Sequence, residues 1–206
     1  MIDPSTLIAL VTVGVSIWAF QDRRILSALI LSPYAVVHQK QWYRVITHAF
    51  IHADWMHLLF NMIALWSFGK VVYTYFSYIT PAASLHFFIL YFIGSIIASI
   101  HDLVKHKNDT QFLSLGASGA VSAVVFTAIF FDPWSTILIF FIPCPAILFG
   151  IVYILYSSYM SKKGGDYVNH NAHLYGAIWG FFYPLLLHPD SLQFFLHNLM
   201  RPRLFS

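Results

Sequence analysis

The chain has 206 residues, 59% of them apolar and only 9% charged, with a formal net charge of +3 and acidic side chains that are all Asp. A soluble domain carries about 25% charged residues, so this composition excludes a domain solvated by water on every side and assigns much of the surface to lipid. One cysteine, Cys144 between Pro143 and Pro145, excludes an internal disulfide; a thiol in such an apolar run is an inert group rather than a nucleophile.

A helix needs roughly 20 apolar residues to cross a bilayer, within a range of about 17–25. Only helices or closed barrels satisfy the backbone in lipid. Six apolar stretches predict six helices, over 5–20, 55–76, 81–103, 116–131, 135–159 and 171–187. The first lacks a basic flank and a small-residue cleavage site, so it is expected to stay attached. Between the first and second stretches, residues 21–54 carry Arg23, Arg24, Lys40 and Arg44 around an apolar run at 25–31. That run is too short to span and too apolar for a solvated linker, so it predicts interfacial, half-inserted structure, with Pro33 ending any helix there. Asp132-Pro133-Trp134 predicts a tight turn, and residues 161–166 predict a polar loop with a Gly pair at 164–165. These elements describe an all-α polytopic membrane protein, one domain over 1–206.

Four polar residues stand just inside the starts of alternate stretches: His57 and Asn61 in the second, Ser118 in the fourth and His173 in the sixth. Polar side chains at membrane depth are costly and usually functional. If every stretch spans once, the three helices run the same way and the four residues share one face of the bilayer. His57 and Asn61, four apart, lie on one side of their helix. Gly116 and Gly119 flank Ser118, and Gly176 and Gly180 follow His173 with the small-xxx-small spacing that lets membrane helices approach closely. A Ser beside an imidazole that takes its proton is an activated nucleophile. None of the Asp residues has an evident place behind His173, so a Ser–His dyad is expected rather than a triad. Asn61, His57 and the Ser118 amide could donate to an oxyanion, the amide because the first N–H groups of a helix lack internal partners.

Taken singly, each of these features has a bland reading as packing or an interhelical hydrogen bond; their shared depth favours a site. Two other function classes compete. A metal-dependent membrane enzyme could use His48, His52 and His57, although His48-Ala49-Phe50-Ile51-His52 lacks the Glu of a His-Glu-x-x-His metalloprotease. A non-catalytic membrane binding module would need neither Ser118 nor His173.

At these residues the chain resembles the rhomboid family of intramembrane serine proteases, in its compact six-helix bacterial form. Gly116-Ala117-Ser118-Gly119 is similar to the family's GxSG motif, His57-Leu58-Leu59-Phe60-Asn61 to its HxxxN motif, and the run from Ala172 to Gly180 to its AHxxGxxxG motif. Trp42-Tyr43-Arg44 resembles the Trp-Arg motif of the first loop, with one residue inserted. The resemblance implies Ser118 as nucleophile and His173 as base, with Asn61, His57 and the Ser118 amide as oxyanion hole. It implies structural support from Gly116, Gly119, Gly176, Gly180, Trp42 and Arg44. It implies cleavage of transmembrane protein substrates near the membrane surface, partners limited to those substrates and lipid with no nucleic acid, no metal or cofactor, and a bacterial inner membrane. The loop at 161–169 is implied to cover the site.

Two positions depart from the family's pattern. Ser122 stands where many members carry a Tyr packed on the catalytic His, and Tyr73 where many carry a helix-bracing Glu. The family's topology puts the N-terminus in the cytosol, with Lys70, Arg201 and Arg203 inside. Arg23, Arg24, Lys40, Arg44, Lys105, Lys107, Lys162 and Lys163 are then outside, the reverse of the positive-inside expectation.

Overall fold

The computed structural model describes residues 2–139, 141–163 and 168–202. Asp3 opens the first helix, α1 (Pro4–Gln21), accepting the Thr6 N–H at 3.0 Å with Pro4 at the first helical position. This is the arrangement that satisfies an orphan amide at a helix start. Asp22 ends α1 in extended backbone and at once caps α2 (Arg23–Leu29). Ser32 caps α3 (Pro33–His38). Pro33, expected only to end a helix, therefore also begins one, because its missing N–H costs nothing at the first position.

The first loop is a folded unit. After α3 come α4 (Arg44–Thr47) and a 3-10 turn (His48–Phe50). Arg44 Nη1 donates to the carbonyls of Ser27 and Ile30, each at 2.7 Å, and Arg44 Nε to Gln41 at 2.6 Å. Leu31, Val36 and Val45 bury together beneath this clasp. Leu31 also exchanges both backbone hydrogen bonds with Ser114, at 3.0 Å each, which ties the loop to the segment leading into the Ser118 helix. Trp42, by contrast, is 58% exposed.

Asp54 caps α5 (Trp55–Ile79) by accepting the His57 N–H at 2.8 Å, and α6 (Ala83–Lys105) follows. The Ser84 hydroxyl lies 3.4 Å from Tyr73 Oη and links the two. Helices α1, α5 and α6 are long and apolar enough to cross a membrane. Outward-facing side chains such as Leu10, Trp18, Ile63, Trp66 and Val104 are exposed, as a lipid-covered surface requires.

Helix α7 (Ser118–Phe131) has 14 residues, and every one after Ser118 is buried. A helix apolar all round belongs at the centre of a bundle, and α5, α6 and the later helix α9 surround this one. The fifth predicted stretch is corrected at its start. Residues expected to begin a helix at 135 instead form a hairpin of β1 (Thr136–Ile139) and β2 (Ile142–Pro145), with Thr136 opposite Pro145. Pro143 and Pro145 cannot supply helical N–H groups, and Thr and Ile are side chains that favour strands. Cys144 sits half-buried in β2. Helix α8 (Ala146–Lys163) starts only after the second proline.

Helix α9 (His170–Leu187) packs on α7 with almost no space between backbones. A Cβ on Gly176 would collide with the carbonyl oxygen of Gly119, and one on Gly180 with that of Ala123. Thr127 Oγ1 lies 2.9 Å from the Ala123 carbonyl and 2.7 Å from the Gly180 carbonyl, and so pins the seam. A short helix that the sequence reading did not anticipate, α10 (Ser191–Leu199), closes the far end. Its Phe195 stacks on Phe130 at 5.0 Å, and Asn198 Nδ2 donates to the Phe131 carbonyl at 3.0 Å, one of the carbonyls a helix end leaves open.

Candidate active site

The turn into α7 is held by the first loop. Gly116 has φ +111°, a conformation favouring glycine, and its N–H donates to the His48 carbonyl at 3.0 Å. A Cβ on Gly116 would lie 2.6 Å from His57 Cε1, so the His57 ring rests directly on this backbone. The Ala117 N–H donates to His52 Nε2 at 3.4 Å. Two consecutive amides are thereby engaged, and the next, that of Ser118, is the first of α7 and lacks an acceptor within its helix.

His52 shows how its tautomer is set. Ser16 Oγ donates to the Phe50 carbonyl at 2.9 Å and lies 3.0 Å from His52 Nδ1. The Ser16 hydroxyl must therefore accept from Nδ1–H, which leaves Nε2 unprotonated to accept from Ala117. His48 Nε2 lies 3.0 Å from Ser99 Oγ and 3.4 Å from Ser95 Oγ. These bonds bind the ring nitrogens of His52 to protein groups and point His48 Nε2 at two serines, which argues against His48, His52 and His57 as a shared ligand set. Among the described residues no three His, Cys, Asp or Glu side chains are grouped to hold a metal ion.

Burial holds the His48 pKa down to about 4, opposed weakly by the Val45 backbone. Burial and the neighbouring His57 hold that of His52 to about 3, opposed by Asp54. Both lie below the unfolded value near 6.5. Above that value both rings are neutral in either state. As pH falls from about 6.5 toward the folded values, only the unfolded chain gains the protons, so stability is lost. The slope is up to about 1.4 kcal/mol per pH unit for each ring. The thermal midpoint in detergent should therefore drop between pH 7 and pH 5, before carboxylates titrate. His52→Gln should lower the midpoint at pH 7 and flatten the slope; an equally steep slope in that variant would contradict this account.

Ser118, His173, Asn61 and His57 all line one cavity of about 730 Å³. Its walls include Phe60, Ala64 and Phe68 of α5 and Phe149, Tyr153 and Met160 of α8. Asn61 Nδ2 donates to the His57 carbonyl at 2.8 Å, which fixes the amide along its own helix and leaves it a second N–H. His173 stands on the first turn of α9. That turn is anchored by Asn169, whose Oδ1 accepts the Ala172 N–H at 3.0 Å. Asn169 Nδ2 lies 2.5 Å from Asp102 Oδ2 and 3.1 Å from Ser114 Oγ. Asp102 is thus an acid on the cavity wall that the sequence reading did not locate, and its bonds hold the start of α9. Asn169 carried a legible signal, an N-cap amide just before the last apolar stretch; Asp102 carried none beyond its depth in a helix.

The His173 ring stacks on Tyr153 with centroids 5.9 Å apart and planes 21° apart, and meets His170 edge-on at 6.0 Å. Of the loop expected to cover the site, Ser161, Val168 and Asn169 line the cavity, while residues 164–167 lie outside the described residues.

The Rhomboid domain family model matches residues 39–190, a span that includes all four cavity residues above. The chain is 34% identical over 149 residues to RHOMBOID-like protein 12, mitochondrial, of Arabidopsis thaliana, an alignment covering 65% of this chain and 43% of that protein. It is 33% identical over 147 residues to Rhomboid protein 1, mitochondrial, of Saccharomyces cerevisiae, covering 68% and 40%. It is 32% identical over 87 residues to Rhomboid protease GluP of Bacillus subtilis, covering 42% and 15%. The chain spans about two fifths of the length of the two mitochondrial relatives it matches.

Proposed function

This chain belongs to the rhomboid family, and from that premise we propose that it is an intramembrane serine endopeptidase that cuts transmembrane protein substrates with a Ser118–His173 dyad. The observation that carries the reading is the single cavity on which Ser118 of α7, His173 of α9 and His57 and Asn61 of α5 converge. His173 removes the Ser118 hydroxyl proton as Oγ attacks the scissile carbonyl carbon. The carbonyl oxygen becomes an oxyanion that accepts from the Ser118 amide, the second Asn61 N–H and His57. The positive end of α7 adds to this. His173 returns the proton to the leaving amine, and water repeats the sequence to release the acyl group from Ser118. In this reading the membrane-embedded bundle is built from α1, α5, α6, α7, α8 and α9.

For location, the two longer matches are to proteins named as mitochondrial and the shorter one is to a bacterial protein; the reading is an integral membrane protein, in a mitochondrial or a bacterial membrane. The test of the activity is purified protein in detergent with a model transmembrane substrate and a fluorophosphonate probe. Cleavage and labelling are both expected, and both should vanish in Ser118→Ala. Absence of either in the unaltered chain would favour a non-catalytic binding module instead.

Asn61 should contribute a graded effect. Loss of one oxyanion donor typically slows turnover by about 100- to 1000-fold. Because the Ser118 amide and His57 remain, Asn61→Ala should fall in or below that range, with the loss in kcat rather than KM. A variant with normal kcat and raised KM would make Asn61 a substrate contact.

A further inference from the structure

Ser122 lies one turn after Ser118 on α7 and is 5% exposed. Its Oγ is 2.6 Å from the Tyr153 hydroxyl, which reaches across from the middle of α8. The other end of the same side chain is the ring stacked on His173. Centroids at 5.9 Å with nearly parallel planes fall within the range of favourable offset stacking. Phe126 of α7 and Phe149 of α8 flank the Tyr153 ring at 5.5 Å and 5.6 Å. One side chain therefore joins three helices: α8 supplies it, Ser122 of α7 anchors its tip, and His173 of α9 lies on its face.

We propose that Tyr153 is a positioning residue for His173, with Ser122 as its anchor. An imidazole on a helix turn has two free torsions, and a ring held against one face restricts both. The anchor matters because α8 does not itself carry the nucleophile. Through the Ser122 bond, the surface that orients the base is fixed relative to the helix that bears Ser118. The Tyr153 ring keeps its place by its hydroxyl and its aromatic neighbours, so the ring and the hydroxyl have separable effects.

This inference rests on the proposed protease activity, and its test separates the two. Unaltered protein and Ser118→Ala are compared first on a transmembrane substrate in detergent. Loss of that contrast would mean that the protease reading has failed. Tyr153→Leu keeps much of the volume but removes the ring face and the hydroxyl. It should reduce kcat by about 100-fold, the effect of a misplacement near 1 Å, with KM little changed and an unchanged fold by circular dichroism. Tyr153→Phe and Ser122→Ala cut the same hydrogen bond and keep the ring. Each should slow kcat by roughly two- to tenfold, as for one hydrogen bond, and the double variant should be no slower than either, because partners in one bond are not additive. The His173 imidazole titration followed by NMR needs no turnover, and its midpoint should move in Tyr153→Leu.

Three outcomes would overturn the proposal. One is Tyr153→Leu with normal kcat or an unmoved titration. Another is Tyr153→Phe as slow as Tyr153→Leu, which would give the role to the hydroxyl. The third is additive losses in the Ser122→Ala, Tyr153→Phe pair. If the Leu variant does not fold, the double-variant comparison decides alone.

Discussion

Ser118→Ala and His173→Ala should each lower cleavage of a transmembrane substrate by about 10,000-fold or more, leaving a folded, membrane-inserted protein. Ser118 is the first residue of α7, and its side chain is not needed to cap or bury that helix, since the seam with α9 is built by Gly119, Ala123 and Thr127. The first turn of α9 is likewise held by Asn169 rather than by the His173 ring. Both substitutions should therefore spare stability. The double variant should be no slower than the singles, because a nucleophile and its base act as a unit. Single-turnover cleavage with a parallel melting curve decides. Appreciable cleavage by Ser118→Ala would sink the mechanism.

The other large effect is expected at the α7–α9 seam. Gly176→Val should remove most activity and lower thermal stability, since overpacking commonly costs about 1–3 kcal/mol and moves His173 relative to Ser118. The obstruction is the Gly119 carbonyl, part of a helix backbone, and it already meets a Cβ. Gly176→Ala should therefore be nearly as damaging as Val, a harsher expectation than side-chain bulk alone suggests. Gly14, which has nothing within 4 Å of an added Cβ, is the control: Gly14→Ala should be neutral or stabilising, by up to about 1 kcal/mol from helix propensity. Activity and melting temperature measured together across the three variants check this. A Gly176→Val protein with normal values for both would mean that the seam does not position the base.

The helical stretches were legible because length and hydropathy are local properties. The predicted ranges at 55–76, 81–103 and 171–187 lie within three residues of α5, α6 and α9 at every end. The hairpin at 136–145 was not legible. Its apolar residues suit a buried helix as well as a strand, and hydropathy outweighed two prolines that should have counted against a helix. Helix α10 was missed because nine residues are too few to signal a span. In the site, the residues of the family's motifs could be named from the sequence, since spacing within one helix fixes depth and side. Tyr153 could not be. Its position depends on where α8 lies against α7 and α9, and no spacing along the chain encodes a ring stacked between helices. The Ser122 departure marked the place where a partner was missing, without naming the helix that supplies it.

The shortness of α7 has a consequence for what can be cut. Fourteen residues rise only about 21 Å, against a hydrocarbon thickness near 30 Å, so α7 is too short to reach both membrane surfaces, and in the proposed reading its Ser118 end is the recessed one. A substrate arriving in lipid keeps its peptide groups paired in its own helix, and each one freed there without a partner costs several kcal/mol. On the proposed protease reading, a peptide bond meets Ser118 only after its helix has unwound, and the 730 Å³ cavity offers that exposed backbone the polar side chains of Ser114 and His101. Selection would then act on how easily a segment uncoils, more than on which side chains it presents. Glycine and proline in the substrate would count as much as any fit to a side-chain pocket.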